Sequence, residues 1–477
     1  MSRSAPSPTR LTRSRPRASP SASSAGVARR VQDALLERLR AVIGPANVLT
    51  GVELSPYVVD GRTPEAAVFP GALEEVAAVI ALCGQAEVPV VPWGGGTAAS
   101  VGMPAARAGV VLGLRRLARL VEHEPGDLTV TVESGVTIAE LQAALGNRGQ
   151  WLSLDPADAE RATLGGVLAA NAAGPRRHLY GTARDLLIGV TVVTADAAVV
   201  KGGGKVVKNV AGYDLPKLFI GSYGTLGVIV EATLKLRPVP EAERLVALRF
   251  ARLKDAAAAV RALLASDLIP NAVELLDPTA AAALGAGEAG GALGLAAGAV
   301  LVVGFDGLPE QVEWQCAELA RLAAPHGGRD ATPLSSAAWP RLAAAVRDAF
   351  PVATAVMSFD VVPAQVAELM EQGAGVARAR GFQTAWAAHA GVGVVSAALV
   401  SDREPREPGP VCGVLSEWRE MARAGGGHAT LERAPLAVKS QVPVWDDPGA
   451  AGRVMQRIKA QLDPKRILNP GRFVAGI

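Results

Sequence analysis

The chain has 477 residues, of which 49% are hydrophobic and 4% aromatic, with a formal net charge of +3. This length predicts two or three domains, and the small charge without a basic, aromatic stripe argues against nucleic-acid binding. The cysteines Cys83, Cys316 and Cys412 lie too far apart for a disulfide framework, a CxxC metal site or an iron–sulfur pattern, which indicates a reduced cytoplasmic protein.

The first thirty residues are predicted to be a disordered basic extension. Ser2–Gly26 is rich in Arg, Ser and Pro, has no acidic residue, and lacks the apolar run of a signal peptide. A helix is expected over Val31–Val42, where apolar residues recur at helical spacing. The uncharged run Ala289–Phe305 is mostly Gly and Ala and too short to span a membrane, so we expect no transmembrane segment.

A strand–helix–strand unit leads into the most informative loop. The strands are expected at Ala66–Pro70 and Val88–Val91, with a helix from Leu73 to Ala81 between them. Three consecutive glycines follow, and glycine amides at positive φ form a concave nest for phosphate. A Gly95→Val change is expected to place its side chain against a diphosphate. The binding residues predicted here are Pro92, Trp93, Gly94, Gly95, Gly96, Thr97, Ala98 and Gly102.

The next predicted elements are strands at Gly109–Leu114 and Leu128–Glu133 and a helix over Ile138–Leu145, for which Thr137 is the expected N-cap. Further glycine-rich segments follow this helix. A second helix of small residues should open at Thr163 and allow close approach of a flat ligand. Binding residues predicted in this region are Asp155, Pro156, Thr163, Leu164, Gly165, Gly166, Asn171, Ala173, Gly174, Gly181 and Asp185.

The first large domain is expected to end near residue 240. Strands are predicted at Leu186–Thr194 and Ala197–Lys201, and another begins at Gly227 and ends at Pro238-Val239-Pro240. We therefore predict domains at 31–240 and 241–477. We expect binding residues at the end of the Gly221–Gly227 run, namely Gly227, Val228 and Ile229, and one near the C-terminus, Asn469.

These motifs together resemble the vanillyl-alcohol-oxidase-type (PCMH-type) FAD enzymes, and most closely the FAD-binding subunits of bacterial glycolate oxidases. The resemblance rests on Pro92–Thr97, Ala162–Gly166, Asn209–Asp214, Gly221–Gly227 and Leu468–Gly471. It implies an α+β fold in which a two-lobed N-terminal domain binds FAD and a cap covers the flavin, with Asn469 returning to the FAD domain. Covalently linked relatives often have a histidine in or near the glycine loop, whereas this loop has none, so we expect non-covalent FAD.

The C-terminal half alternates strands and helices in a way that suits a ferredoxin-like sheet layered by helices. Related 2-hydroxyacid dehydrogenases carry a metal-binding His-Ala-Gly-Asp-Gly-Asn-x-His run and a Glu-His-Gly run. Here the first reads His389-Ala390-Gly391-Val392 and the second Gly427-His428-Ala429, so most of the ligands are absent. Because a stable site normally has three or more protein ligands, we expect no bound metal, and no catalytic residue is assigned.

Several residues have a structural interpretation beside the functional one. His389 is either a buried, hydrogen-bonded histidine or a contact to substrate or flavin. The Arg176-Arg177 pair is expected to form a solvated turn, and His428 to lie in a loop after three glycines. The Gly285–Gly290 run matches GxGxxG but follows an Ala-rich helix instead of a strand, so a dinucleotide site there is not expected.

The sequence leaves three functions open. The first is an FAD-dependent oxidoreductase subunit that acts on glycolate or a similar 2-hydroxy acid and passes electrons to a larger FAD-linked sister subunit and an iron–sulfur subunit. The second is a non-catalytic subunit that holds FAD or relays electrons while its sister chain oxidises the substrate. A free-standing sugar or alcohol oxidase is a third alternative. We expect a cytoplasmic protein, with peripheral attachment to the inner membrane through partners as an option.

Overall fold

A computed structural model describes residues 22–105, 107, 109–205, 213–285, 298–345, 347–351, 353–401 and 407–477. Parts of three sequence features lie outside the described residues: 1–21 of the N-terminal extension, Asn209–Gly212 of the Asn209–Asp214 motif and Ala286–Gly290 of the Gly285–Gly290 run. None of the helices in the described ranges combines the length and apolar character that crossing a bilayer requires.

The first sheet contains the strand–helix–strand unit. Strands β2 and β3 both run parallel to β4, which lies between them, and β1 is antiparallel at the edge, giving the order β1-β2-β4-β3. The first helix starts at Ala22, where alanine and arginine favour a helix, so the prediction of a disordered extension is wrong for residues 22–30. The elements are α1 Ala22–Ile43, β1 Val48–Leu49, β2 Ala66–Val68, α2 Leu73–Ala86, β3 Val90–Trp93 and β4 Val110–Gly113.

A second, antiparallel sheet of order β5-β6-β10-β8-β9 completes the N-terminal domain. Thr137 caps α3 as predicted: its hydroxyl accepts from the Glu140 amide while the Glu140 carboxylate accepts from the Thr137 amide. The elements are β5 Leu120–Glu124, β6 Thr129–Glu133, α3 Ile138–Gly146, β7 Gln150–Trp151, α4 Leu164–Ala170, α5 Arg177–Tyr180, α6 Ala183–Leu186, β8 Leu187–Val193, β9 Val199–Gly203, α7 Pro216–Phe219, β10 Val228–Lys235 and β11 Arg237–Pro238.

The cap is built on one antiparallel sheet of order β15-β12-β14-β13-β17-β18-β16-β19. Its elements are β12 Ala242–Phe250, α8 Leu253–Leu264, β13 Ala272–Leu276, α9 Pro278–Gly285, β14 Ala299–Gly307, α10 Pro309–Ala323, β15 Arg329–Leu334, α11 Ala338–Ala343, β16 Ala355–Asp360, α12 Val366–Ala379, β17 Gln383–His389, β18 Val394–Val400, α13 Gly409–Ala424 and β19 His428–Arg433.

This sheet consists of two ferredoxin-like units placed edge to edge. Each unit follows the order strand, helix, strand, strand, helix, strand, formed first by β12 to β15 and then by β16 to β19, and the first unit has the extra helix α9 between its two middle strands. The units join where β13 pairs with β17. The predicted α+β architecture with a helix-layered, ferredoxin-like cap is confirmed.

The two faces of the cap sheet are buried differently. One face packs Val273, Leu275, Trp386 and their neighbours against α8, α10, α12 and α13. On the opposite face, Ala272, Leu276 and Ala385 lie in a cluster with residues of α9 and α11. Glu274 lies on this face between Ala272 and Leu276 and is paired with His389.

The C-terminal segment returns from the cap to the N-terminal domain. After α14 (Leu436–Lys439) and α15 (Ala450–Leu462), Leu468 forms a parallel bridge with Val90 of β3. The buried Lys459 ammonium donates to the carbonyls of Thr225 (2.7 Å) and Leu468 (2.8 Å) and to the Asp463 carboxylate (2.6 Å). Backbone and side-chain contacts therefore hold this segment against the N-terminal domain.

Candidate functional site

A cleft opens in the N-terminal domain at the end of β3, and its empty space, counted with the open solvent at its mouth, is about 1280 Å³. The glycine loop after β3, the start of α4, the Tyr223-Gly224 turn and the returning C-terminal residues line its walls. Thirteen of the predicted binding residues lie in this lining: Pro92, Trp93, Gly94, Gly95, Gly96, Thr97, Ala98, Thr163, Gly165, Gly166, Gly227, Ile229 and Asn469.

The glycines of the loop allow it to touch the segment before α4. A β-carbon at Gly94 would lie 2.0 Å from the Thr163 hydroxyl, and one at Gly95 would lie 1.7 Å from the Arg161 carbonyl oxygen. Gly96 has a φ of +74°, which an L side chain rarely adopts. The expectation that a side chain at position 95 would face a diphosphate is therefore wrong, because its β-carbon would collide with neighbouring backbone.

Gly166 is the glycine that leaves open space in the cleft. It is exposed in the first turn of α4, and a β-carbon there would meet only the Thr163 hydroxyl, at 3.2 Å. That hydroxyl caps the helix by accepting from the Gly166 amide at 3.3 Å. Gly165, in contrast, packs against Ser134, whose β-carbon would lie 2.7 Å from an added methyl group.

Two buried polar atoms of the cleft lack hydrogen-bond partners within the described chain. They are the Ser134 hydroxyl and the side-chain oxygen of Asn469, both on residues that line the cleft. The Asn469 amide group itself is fixed, since its Nδ2 donates to the Tyr223 carbonyl at 2.7 Å and its backbone nitrogen to Val90. Buried polar groups normally have partners, so a cleft of this kind suits a ligand rich in hydroxyl and imide groups, as FAD is.

The lining is positively charged and contains residues that sequence reasoning missed. Arg62, Arg107 and Arg472 line the cleft, and no carboxylate is among the lining residues. The Arg472 guanidinium donates to the carbonyls of Ala99 (2.6 Å), Val101 and Met103, so it stabilises the glycine loop itself. A cationic lining favours an anionic ligand such as a diphosphate.

Ten predicted binding residues do not line the cleft. Leu164 and Val228 are core residues, Asn171 ends α4 in a left-handed conformation, and the Asp185 carboxylate accepts from the Thr182 amide at 2.8 Å. Gly174 lies close to the Asp155 carbonyl oxygen. For these ten residues, contact with a cofactor stays a prediction. They are Gly102, Asp155, Pro156, Leu164, Asn171, Ala173, Gly174, Gly181, Asp185 and Val228.

Arg176 connects the N-terminal domain to the cap, so the expectation of a solvated turn is wrong for this residue. Its guanidinium binds both oxygens of the Glu243 carboxylate, at 2.8 and 2.9 Å, and stacks 3.7 Å from the centroid of the Trp339 ring. Its backbone nitrogen donates to Asp155. Burial raises the pKa of the Asp155 carboxyl to about 6, although the Arg176 charge opposes this shift.

The two histidines of the degenerate cap motifs differ strongly. His389 ends β17 and is hydrogen-bonded through Nδ1 to both carboxylate oxygens of Glu274, each at 2.8 Å. His428 is the first residue of β19 instead of a loop residue, and its side chain is 74% exposed. Within the described residues, no three histidine, cysteine or carboxylate side chains come together as a metal site would require.

Comparison with known proteins gives the family. Residues 64–203 match the FAD binding domain family, and residues 239–473 match the C-terminal domain of FAD linked oxidases. Glycolate oxidase subunit GlcD of Bacillus subtilis is 30% identical over 424 residues, covering 86% of this chain and 89% of the relative. A probable mitochondrial D-lactate dehydrogenase of Danio rerio is 31% identical over 430 residues, covering 87% and 85%.

Among solved structures, p-cresol methylhydroxylase with bound substrate has the same fold. The TM-score is 0.75 at 18% identity, covering 94% of this chain and 97% of the other. The expected FAD cofactor and oxidoreductase class are thus confirmed by the matches to both domains. The chain belongs to the FAD-linked oxidases and is an FAD-dependent oxidoreductase.

Proposed function

We propose that this chain is the FAD-holding subunit of a glycolate-oxidase-type complex that oxidises a small 2-hydroxy acid. The observation that carries the proposal is the glycine-lined cleft with unpartnered buried polar atoms, in a chain similar to a glycolate oxidase subunit and to D-lactate dehydrogenases. FAD, when bound, accepts the hydride that leaves the substrate carbon. The protein supplies the position and the electrostatic environment.

Specific residues of this cleft are suited to hold the cofactor. The glycine loop offers main-chain amides, and Arg62 and Arg107 offer positive charge, to the diphosphate. Ser134 and Asn469 offer hydrogen-bonding oxygens to donor groups of the cofactor. No histidine or cysteine is among the lining residues, which supports non-covalent binding. Acid precipitation of the purified chain should therefore release the yellow colour into the supernatant.

Reduced flavin needs an electron acceptor, and we propose that partner chains provide it. The cysteines Cys83, Cys316 and Cys412 are free and lie in different elements, so they offer no iron–sulfur ligand set. A larger FAD-linked sister subunit and an iron–sulfur subunit would complete the route to an acceptor. In this proposal the complex is cytoplasmic, and its partners hold it peripherally at the inner membrane.

The test is an anaerobic titration of the flavin-loaded chain with glycolate and D-lactate, followed by absorbance near 450 nm. Bleaching by a 2-hydroxy acid, and none by acetate, is the expected result, because acetate lacks the hydroxyl group that is oxidised. Oxygen consumption by the isolated chain would instead favour a free-standing oxidase. A chain that purifies colourless and takes up no FAD would overturn the proposal.

A second candidate function is a subunit that holds FAD or relays electrons while a sister chain oxidises the substrate. The observation in its favour is that the cap motifs around His389 and His428 lack most of the ligands found in related dehydrogenases. The same titration separates the two candidates. Bleaching that occurs only after the sister subunit is added supports the relay function.

A further inference from the structure

Two buried cations bind the stretch of the glycine loop that follows Ala98. They are Lys439, in α14 after the last strand of the cap sheet, and Arg472, near the C-terminus. The Lys439 side chain has no exposed surface, and that of Arg472 is 9% exposed. Both reach residues 99–103. Because Ala99 and Val101 of this stretch line the cleft, the two cations act directly beside it.

Five consecutive backbone carbonyls of the loop accept hydrogen bonds from these two side chains. The Arg472 guanidinium donates to the first, third and fifth, which are those of Ala99 (2.6 Å), Val101 (2.8 Å) and Met103 (3.1 Å). The Lys439 ammonium donates to the second and fourth, which are those of Ser100 (2.7 Å) and Gly102 (3.2 Å). Gly102 has a φ of +103°, and a β-carbon there would lie 2.7 Å from the Arg472 carbonyl oxygen, so the close approach requires glycine.

While its carbonyls are bound, the loop keeps backbone amides free. Within the described residues, the amides of Thr97, Ala98 and Ser100 donate to no protein acceptor. Thr97 and Ala98 line the cleft. Free amides beside a cleft are suited to an anionic group such as a diphosphate. The two cations therefore stabilise the backbone conformation that presents these amides.

Lys439 can act on a ligand of the cleft only through the loop. Its ammonium has three N–H groups, and all three are used: two donate to the loop carbonyls and the third to the Asp60 carboxylate at 2.8 Å. None of the residues of α14 is among those that line the cleft, whereas Arg472 is. A change at Lys439 therefore tests the loop without removing a group that faces the ligand.

We infer that Lys439 is a positioning residue for the cofactor, which holds residues 99–103 in the conformation that binds FAD. The inference rests on the proposed binding of FAD in this cleft and adds a residue from outside it. Since coupling between two sites is reciprocal, bound FAD must stabilise the Lys439 contacts as much as these contacts stabilise bound FAD. Cofactor affinity is thereby linked to α14, which the chain reaches directly after the cap sheet.

The first test is Lys439→Met in the full chain. Methionine has nearly the length of lysine and suits a buried site, but it donates to no carbonyl. We expect the Kd for FAD, measured by flavin fluorescence titration, to rise about tenfold, a common size for coupling between two sites. Amide exchange at 97–103 in the FAD-free variant should be faster than in wild type, because two of the five carbonyl contacts are lost.

Asp60→Asn is the matched control. It removes the charge of the ion pair but leaves an amide oxygen that accepts from Lys439, so both carbonyl contacts stay. Asp60 has a φ of +50°, which asparagine adopts more readily than most residues. Both substitutions should lower the urea midpoint of unfolding, but only Lys439→Met should raise the Kd for FAD. Equal rises in the two variants would show that lost stability sets the affinity, and would overturn the inference.

The second test uses the wild-type chain, with FAD bound and after its removal. Bound FAD should slow hydrogen exchange at 436–440, in and just after α14, and should leave α10, in the helix layer of the cap, unchanged. Exchange at 436–440 that does not respond to FAD, or an unchanged Kd in Lys439→Met, would overturn the inference while the proposed function stands. A wild-type chain that takes up no FAD would overturn the proposed function itself.

Discussion

At the scale of single residues, the cleft depends on where side chains are missing. Gly94 and Gly95 lack side chains so that the glycine loop can contact Arg161 and Thr163, whereas Gly166 borders open space in the cleft. Substitutions at the first two positions would damage the fold before they affected a ligand. Gly166 is therefore the position at which cofactor binding can be tested alone.

Gly166→Leu should abolish FAD retention while the fold is kept, because leucine favours a helix and its side chain would occupy the cleft. The ratio of flavin to protein absorbance after purification, with circular dichroism as the fold check, measures this. Gly375→Leu is the matched control, since Gly375 is an exposed glycine of α12 with no atom within 4 Å of an added β-carbon. Full flavin content in Gly166→Leu would place the cofactor elsewhere.

The Asp155 carboxyl should make the unfolding free energy depend on pH. Burial raises its folded pKa from 3.8 to about 6, so the folded state holds the proton more tightly than the unfolded state. The stability this gives is present below about pH 4 and is lost as the pH rises to about 6. The unfolding free energy of Asp155→Asn relative to wild type should then rise by about 3 kcal/mol over that range. Urea unfolding at pH 4, 5, 6 and 7 measures it.

The control for this experiment is Asp196→Asn. The Thr194 hydroxyl and the Ala198 amide lower the pKa of Asp196, so its difference from wild type should not rise between pH 4 and 6. A pH-independent difference for Asp155→Asn would contradict the assignment of a raised pKa to this carboxyl.

At the scale of elements, the cap is fixed to the N-terminal domain by the two ends of α5. Arg176, just before α5, pairs with Glu243 of β12, and the Tyr180 hydroxyl at the end of α5 donates to Asp306 of β14 at 2.7 Å. Arg176 and Glu243 are 67 residues apart, so no local pattern in the sequence pairs them. The glycine loop and the Thr137 cap were predictable because their signals are local, whereas a contact between domains has none.

Arg176→Gln should lower the unfolding free energy by about 3 kcal/mol, because Glu243 would lose its bidentate partner. Arg176→Lys should not restore it, since lysine lacks the planar fork. Hydrogen exchange should increase at 176–180 and 242–244, with flavin content unchanged. The adjacent Arg177→Gln is the control, and equal exchange in both variants would show that Arg176 does not connect the domains.

At the scale of the whole molecule, the C-terminal segment closes the cofactor-binding domain. The sequence pointed to Asn469 only through family resemblance, and it missed Ser134 and Arg472, which line the same cleft. The short Glu133-Ser134-Gly135 turn at the end of β6 was the available signal for Ser134. Arg472 had no comparable signal, because its partners Ala99 and Val101 lie more than 370 residues earlier.

Lys459→Met should destabilise the whole protein by about 3–5 kcal/mol, because it leaves the fully buried Asp463 carboxylate without its cation. FAD affinity should fall too, since Lys459 also holds the backbone of Leu468, next to Asn469. Thermal unfolding and flavin titration measure the two effects. Lys465→Met, which removes one bond from an exposed lysine to the Gly84 carbonyl, should have little effect on either.

The doubled cap has a consequence for the side chains at its centre. The strands that join its two halves, β13 and β17, are paired at three positions, and one of these pairs is Glu274 with His389. Each half alone contributes a single member, so neither could orient the imidazole without its neighbour. A tandem arrangement of this kind creates a hydrogen-bonded pair at the join, and a slip of one residue between the halves would turn the histidine and the glutamate to opposite sides.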